Sequence, residues 1–212
     1  MSAGRQTGTG AAIAPPDPWD PVVRLSHWLI AAAVIINGLI SEPGGTIHIW
    51  IGWIAMAVLV IRLVWGVIGP REARFTAFLP DPRAAVSHLF SLLRGKPKEY
   101  PSHNPAGTIM VYALWACLAA VIATGLILTD AKTPITIAKE RAAVEQGDWS
   151  VLAGDDEGEE PAEDSGEIVK AIHETAANLM LILALVHVAG VAAESYALRR
   201  NLVRPMIKGP PR

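Results

Sequence analysis

Four long apolar runs divide the chain, at positions 22–40, 47–68, 107–129 and 168–196. Each approaches or exceeds the ~20 residues that a helix, rising ~1.5 Å per residue, needs to cross a hydrocarbon core ~30 Å thick. Strands of a membrane barrel would be about half as long and would alternate apolar with polar positions, so the pattern predicts helices. The first run is short once its charged flank is set aside, and the fourth carries Lys170, Glu174 and Glu194 near its ends. A shorter stretch at 82–93, PRAAVSHLFSLL, reads as an amphipathic helix lying on a membrane surface. The expected fold class is all-α, an integral membrane four-helix bundle.

The polar segments between the runs differ sharply in sign. Between runs two and three lie Arg71, Arg74, Arg83, Arg94, Lys96 and Lys98, and the C-terminal tail holds Arg199, Arg200, Arg204, Lys208 and Arg212 with no acid. Between runs three and four, Asp148, Asp155, Asp156, Glu157, Glu159, Glu160, Glu163, Asp164 and Glu167 fall within twenty residues. Short basic segments stay in the cytoplasm. Both termini are then expected to be cytoplasmic, with the 41–46 turn and the acidic loop 130–167 outside, in a bacterial inner membrane. The expected organisation is a cytoplasmic tail at 1–21, a membrane domain at 22–196 and a basic cytoplasmic tail at 197–212. The acidic loop is expected to be either a solvated connector or a docking surface for a basic periplasmic protein.

Composition narrows the chemistry. Of 212 residues, 51% are hydrophobic and 18% charged, too apolar for an ordinary soluble domain. Seven Trp against three Phe and three Tyr fit a chain with many positions at a membrane boundary. Cys117 is the only cysteine, which excludes an internal disulfide, an iron–sulfur cluster and a thiolate zinc site within this chain. No Cys-x-x-Cys-His is present, so a haem would be held without thioether links. The first twenty residues lack an apolar core, so no cleavable signal peptide is expected, and the first run serves as insertion signal. No nucleic-acid partner is expected.

Of six histidines, four fall in or at the ends of the runs. A buried polar ring without a partner costs free energy, so these four require a reason. With the expected orientation, His27 is near the inner face, His48 and His173 near the outer face, and His187 about 21 Å deeper than His173 by helix rise. The four sort into an outer pair, His48 with His173, and an inner pair, His27 with His187. Fourteen residues at ~100° each bring a helix nearly back to its starting azimuth, so His173 and His187 share one face. A haem iron takes two axial imidazoles from facing helices, whereas zinc wants four ligands, so the count favours haem. Gly38, Gly52 and Gly190 would give room to a flat porphyrin or to close helix packing. Arg62, fourteen residues after His48, would pair with an inner haem propionate or reach for head groups, and Arg24 is a similar candidate. His88, on the surface stretch, carries no strong expectation.

At these residues the sequence resembles a known family. The stretches WDPVVRLSHWLIAAAVIINGL, HIWIGWIAMAVLVIRLVWG, SHNPAG, HETAANLMLILALVHVAGVAAES and RRNLVRPMIKG are similar to the bacterial cytochrome b-561 and nickel–iron hydrogenase cytochrome b family. The resemblance runs from Trp19 to the C-terminus and leaves out the acidic loop. It implies four helices and two haem b groups, with iron ligands matching His27, His48, His173 and His187. It also implies electron exchange between quinone and a partner such as a c-type cytochrome, with ubiquinone as a substrate. A superoxide:ubiquinone oxidoreductase and an anchor subunit of a hydrogenase-like complex are the alternatives, the first disfavoured by an acidic outer loop that would repel superoxide. His103, in SHNPAG, is expected to cap the third helix or to lie near a quinone or propionate.

Overall fold

The computed structural model describes residues 20–95, 98, 100, 103–152 and 163–209. Lys96, Asp155, Asp156, Glu157, Glu159, Glu160 and Arg212 lie outside the described residues, as does nearly all of the 1–21 tail. The described elements are all helical. Besides three short 3-10 turns they are α1 (Pro21–Ile35) running into a π-helical turn (Ile36–Ile40), α2 (Thr46–Ile68), α3 (Pro82–Leu93), α4 (Pro105–Leu128), α5 (Pro134–Glu145), α6 (Glu163–Ala197) and α7 (Arg204–Lys208). Four of them are long and apolar enough to cross a membrane: Pro21–Ile40, Thr46–Ile68, Pro105–Leu128 and Ser165–Ala197. These agree with the four apolar runs to within a few residues.

Four helix starts share one local cause. Asp20, Asp81, Asn104 and Thr133 each cap a helix with a side-chain oxygen, and each is followed by a proline. The capping oxygen satisfies amides that have no partner inside the helix, and proline is well suited to the first helical position because its missing N–H would be unpaired there anyway. Asp20 Oδ1 accepts from Val22 N at 2.8 Å and Val23 N at 3.1 Å. Its second oxygen accepts from Trp65 Nε1 at 3.2 Å, which ties the start of α1 to the end of α2.

In the bundle, α1 runs beside α2 and α4 beside α6. Leu59, Leu118 and Met180 form the buried centre, joined by Ile30, Val34, Leu114 and Trp115. Met180 is seven residues from both His173 and His187, so this apolar plug lies midway between the two histidine levels. Outward-facing side chains such as Leu63, Val64 and Val67 on α2 and Ile182, Leu185 and Val188 on α6 are exposed, the expected condition of a surface solvated by lipid tails. Helix α3 buries Ala85 and His88 against the bundle and exposes Val86, Leu89, Phe90 and Leu93. Its apolar face therefore points away from the protein, as in a helix embedded at a membrane boundary.

Two helices lie in segments read as loop or tail. Helix α5 occupies part of the 130–167 segment, where Arg141 donates to the Gly44 carbonyl at 2.8 Å and to Thr46 Oγ1 at 3.1 Å. Helix α6 also begins within that segment, five residues before the apolar run. The C-terminal α7 is held under α1 by the Trp28 indole, which donates to the Met206 carbonyl at 3.0 Å. The basic segments thus gather at one end of the bundle, here the basic end, with the 41–46 turn and α5 at the far end.

Candidate functional site

The four histidines form two facing pairs. At the basic end, His27 of α1 and His187 of α6 have ring centres 6.3 Å apart. At the far end, His48 of α2 and His173 of α6 have ring centres 6.2 Å apart. Helix α6 packs closely along α4 but stands off from α1 and α2, so the rings face across gaps rather than across packed backbones. Among the described residues no three His, Cys, Asp or Glu side chains converge as a metal-binding group. Among the described residues each level presents one facing pair of imidazoles.

Around the far-end pair the ring nitrogens next to the backbone have hydroxyl neighbours. Thr124 Oγ1 of α4 lies 2.9 Å from His173 Nδ1, and Ser41 Oγ lies 3.4 Å from His48 Nδ1. Asn37 donates to the His48 carbonyl at 3.0 Å and accepts from the Ser41 hydroxyl at 3.2 Å. None of Thr124, Ser41 and Asn37 was marked by the sequence. A lone threonine in an apolar helix usually satisfies its own backbone and carries no outward signal.

The basic-end pair has a different setting. His27 makes an edge-on contact with Trp28, 5.1 Å between ring centres, and its Nδ1 is buried with no hydrogen-bond partner among the described residues. Arg62 is 6% exposed, sits 5.2 Å from the Trp115 ring centre and points Nη1 at the Ala73 carbonyl, 3.5 Å away. Arg62 therefore does not reach for head groups; its charge is kept inside, over an aromatic face. Arg24 lies against Gly209 of the C-terminal segment, and its Nε has no hydrogen-bond partner among the described residues. His103 does not cap α4, because Asn104 does so, accepting from Gly107 N at 2.6 Å. His103 instead lies tilted against Phe78, 4.7 Å between ring centres. Burial first, then the Arg62 guanidinium and the neighbouring His187 and His27, lower its pKa to about 4, which leaves it neutral at physiological pH.

The three glycines part ways. A Cβ at Gly38 would lie 2.8 Å from Leu181 Cδ2, so Gly38 serves close packing of the π-turn on α6. A Cβ at Gly52 or Gly190 would meet nothing within 4 Å. These two, one turn beyond His48 and His187, border open space. Gly125, not marked by the sequence, leaves room for the His173 ring: a Cβ there would lie 3.3 Å from its Cε1.

The model of the family described as prokaryotic cytochrome b561 matches residues 18–209, all but the ends of the chain. The chain belongs to the prokaryotic cytochrome b561 family. It is thus a membrane b-type cytochrome of electron transfer, and the family implies haem b. Neither the curated proteins nor the solved structures yield a match.

The donor set of this cytochrome fits that group. A metal ion held by two imidazole nitrogens at ~2 Å each, with each ring centre about 1 Å behind its nitrogen, sets the ring centres about 6 Å apart. Both histidine pairs have that separation. Open space beside Gly52 and Gly190 suits a flat macrocycle, whereas a four-ligand metal would find half its ligands missing.

A further polar cluster, part-buried around His88, braces the basic end. His88 of α3 is 2% exposed, and its Nε2 lies 3.7 Å from Glu194 Oε1 of α6, while Asn104 donates to the other Glu194 oxygen. Three elements meet in this one carboxylate. Replacing His88 with alanine leaves Glu194 with less compensation and should cost about 1–3 kcal/mol. Thermal unfolding in detergent near neutral pH measures this, and an unchanged transition would show that the contact contributes nothing.

Proposed function

We propose that this cytochrome holds two haem b groups, one between His27 and His187 and one between His48 and His173, and passes electrons across the bilayer. The observation that carries this reading is the pair of ring separations, 6.3 and 6.2 Å, at two depths of one bundle. A haem b held by two imidazoles supplies reversible one-electron exchange at its iron. The chain's own part is to hold the imidazoles opposed, to keep water from the middle with Leu59, Leu118 and Met180, and to offer cations at the basic end. Arg62, buried over Trp115, and Arg24 are the candidates to meet propionate carboxylates of the inner haem.

By the distribution of charge, the basic end faces the cytoplasm of a bacterial inner membrane, with both termini inside. The His48–His173 site then lies near the periplasm, on the side to which the chain carrying the acids between Asp148 and Glu167 connects. A basic periplasmic redox protein, such as a c-type cytochrome, matches that charge, and the quinone pool is the membrane partner. Superoxide, an anion, gains nothing from an acidic entrance, so electron transfer between quinone and a protein is the favoured reading over superoxide oxidation.

Two measurements test this reading. A pyridine haemochrome assay should give two haems per chain. His48→Ala and His173→Ala should each keep about half the absorbance, as should His27→Ala and His187→Ala. One haem or none in the parent protein contradicts it. Electron exchange with a basic c-type cytochrome should slow several-fold as ionic strength rises, since the Debye length shrinks from ~30 Å at 0.01 M to ~10 Å at 0.1 M. A rate indifferent to salt would remove the acidic segment from partner recognition.

A further inference from the structure

Span α4 carries no histidine, yet it touches one of the four. Thr124 is 8% exposed, and its Oγ1 lies 2.7 Å from the Ala120 carbonyl and 3.1 Å from the Val121 carbonyl of its own helix. A hydroxyl has a single proton, and here those carbonyls take it. With the hydroxyl proton on those carbonyls, the 2.9 Å contact to His173 Nδ1 suits an imidazole N–H donating toward the threonine oxygen, with the Val121 carbonyl as a neighbouring acceptor. A neutral imidazole with its proton on Nδ1 has its lone pair on Nε2.

The next residue acts on the same ring from the side. A Cβ at Gly125 would stand 3.3 Å from His173 Cε1, tighter than ordinary contact. Thr124 and Gly125 thus both border the His173 ring, one at Nδ1 and the other at Cε1. The partner histidine has only the longer 3.4 Å approach to Ser41, whose proton points to Asn37.

We propose that Thr124, with Gly125, is the positioning residue of the outer site, fixing the tautomer and direction of His173 so that Nε2 faces the iron. This rests on the reading of His48 and His173 as haem ligands. A hydrogen bond from the far nitrogen of a metal-bound imidazole raises the ligand's basicity, which favours ferric over ferrous iron, and losing such a partner typically weakens metal binding 10–100-fold. Thr124 thereby holds the outer haem's potential down. The inner site lacks this device at His27, whose Nδ1 is buried without a partner among the described residues.

The test uses the haem-loaded protein and reads potential and haem retention rather than turnover. In Thr124→Val, one of the two redox transitions should move to higher potential while the other stays. One haem should also pass to a scavenging apoprotein about tenfold faster. Thr124→Ser, which keeps the hydroxyl, should match the parent in both readouts. If Thr124→Val fails to fold, Gly125→Ala takes its place and should disturb that same transition alone, by crowding the ring. A Thr124→Val protein equal to the parent overturns the proposal, as does a Thr124→Ser protein as impaired as Thr124→Val, or a Gly125→Ala protein with both transitions unmoved. A parent protein holding fewer than two haems sinks the underlying reading instead, and that result is visible before any variant is made.

Discussion

An imidazole inside a hydrocarbon slab has no water to bond, and it lowers the stability of the bundle unless something else takes its nitrogens. That constraint applies four times in this chain, and α6 meets it twice with one spacing. His173 and His187, fourteen residues apart, look from one face of α6 toward His48 and His27. The rest of the bundle follows from keeping those faces opposed. Helix α4 packs along α6 and takes its weight, which frees the histidine face of α6 to stand away from α1 and α2. Gly38 lets the π-turn close on Leu181, while Gly52 and Gly190 border open space.

The two levels are built from different materials. At the far end the neighbours of the rings are neutral hydroxyls, Thr124 and Ser41. At the basic end the His27 ring meets the edge of Trp28, and the same end holds Arg62 over Trp115 and the neutral His103 beside Phe78. The segment joining α2 to α3 folds under the bundle to supply Phe75 and Phe78, which contact Trp115. Helix α3, pinned by His88 to Glu194, and α7, pinned by Trp28, close the basic end from two further sides. A positive setting favours an added electron more than a neutral one does, so under the proposed reading the two ends would differ in potential.

The spans and the histidine pairing were legible in the sequence because both depend on long-period features, twenty-residue apolar runs and a fourteen-residue spacing, that tertiary contacts cannot override. The ring neighbours Thr124 and Ser41 were not, because each meets its histidine through a single contact that depends on a helix rotation no single sequence reveals. Helix α5 was missed although Thr133 and Pro134 repeat the capping signature of three other helices; its polar face and the acidic neighbourhood hid it. His103 stands one residue too far from the helix to cap it, since Asn104 is the cap and stands directly before Pro105. Gly38 and Gly52 look alike as glycines in apolar helices, and only the position of Leu181 separates a packing glycine from one that borders a gap.

The most direct measurement is an anomalous difference map at the iron absorption edge from crystals of the haem-loaded protein. Two peaks are expected, one midway between the His27 and His187 rings and one midway between the His48 and His173 rings, about 20 Å apart along the bundle. A single peak, or a peak not flanked by both rings of a pair, would contradict the two-tier arrangement.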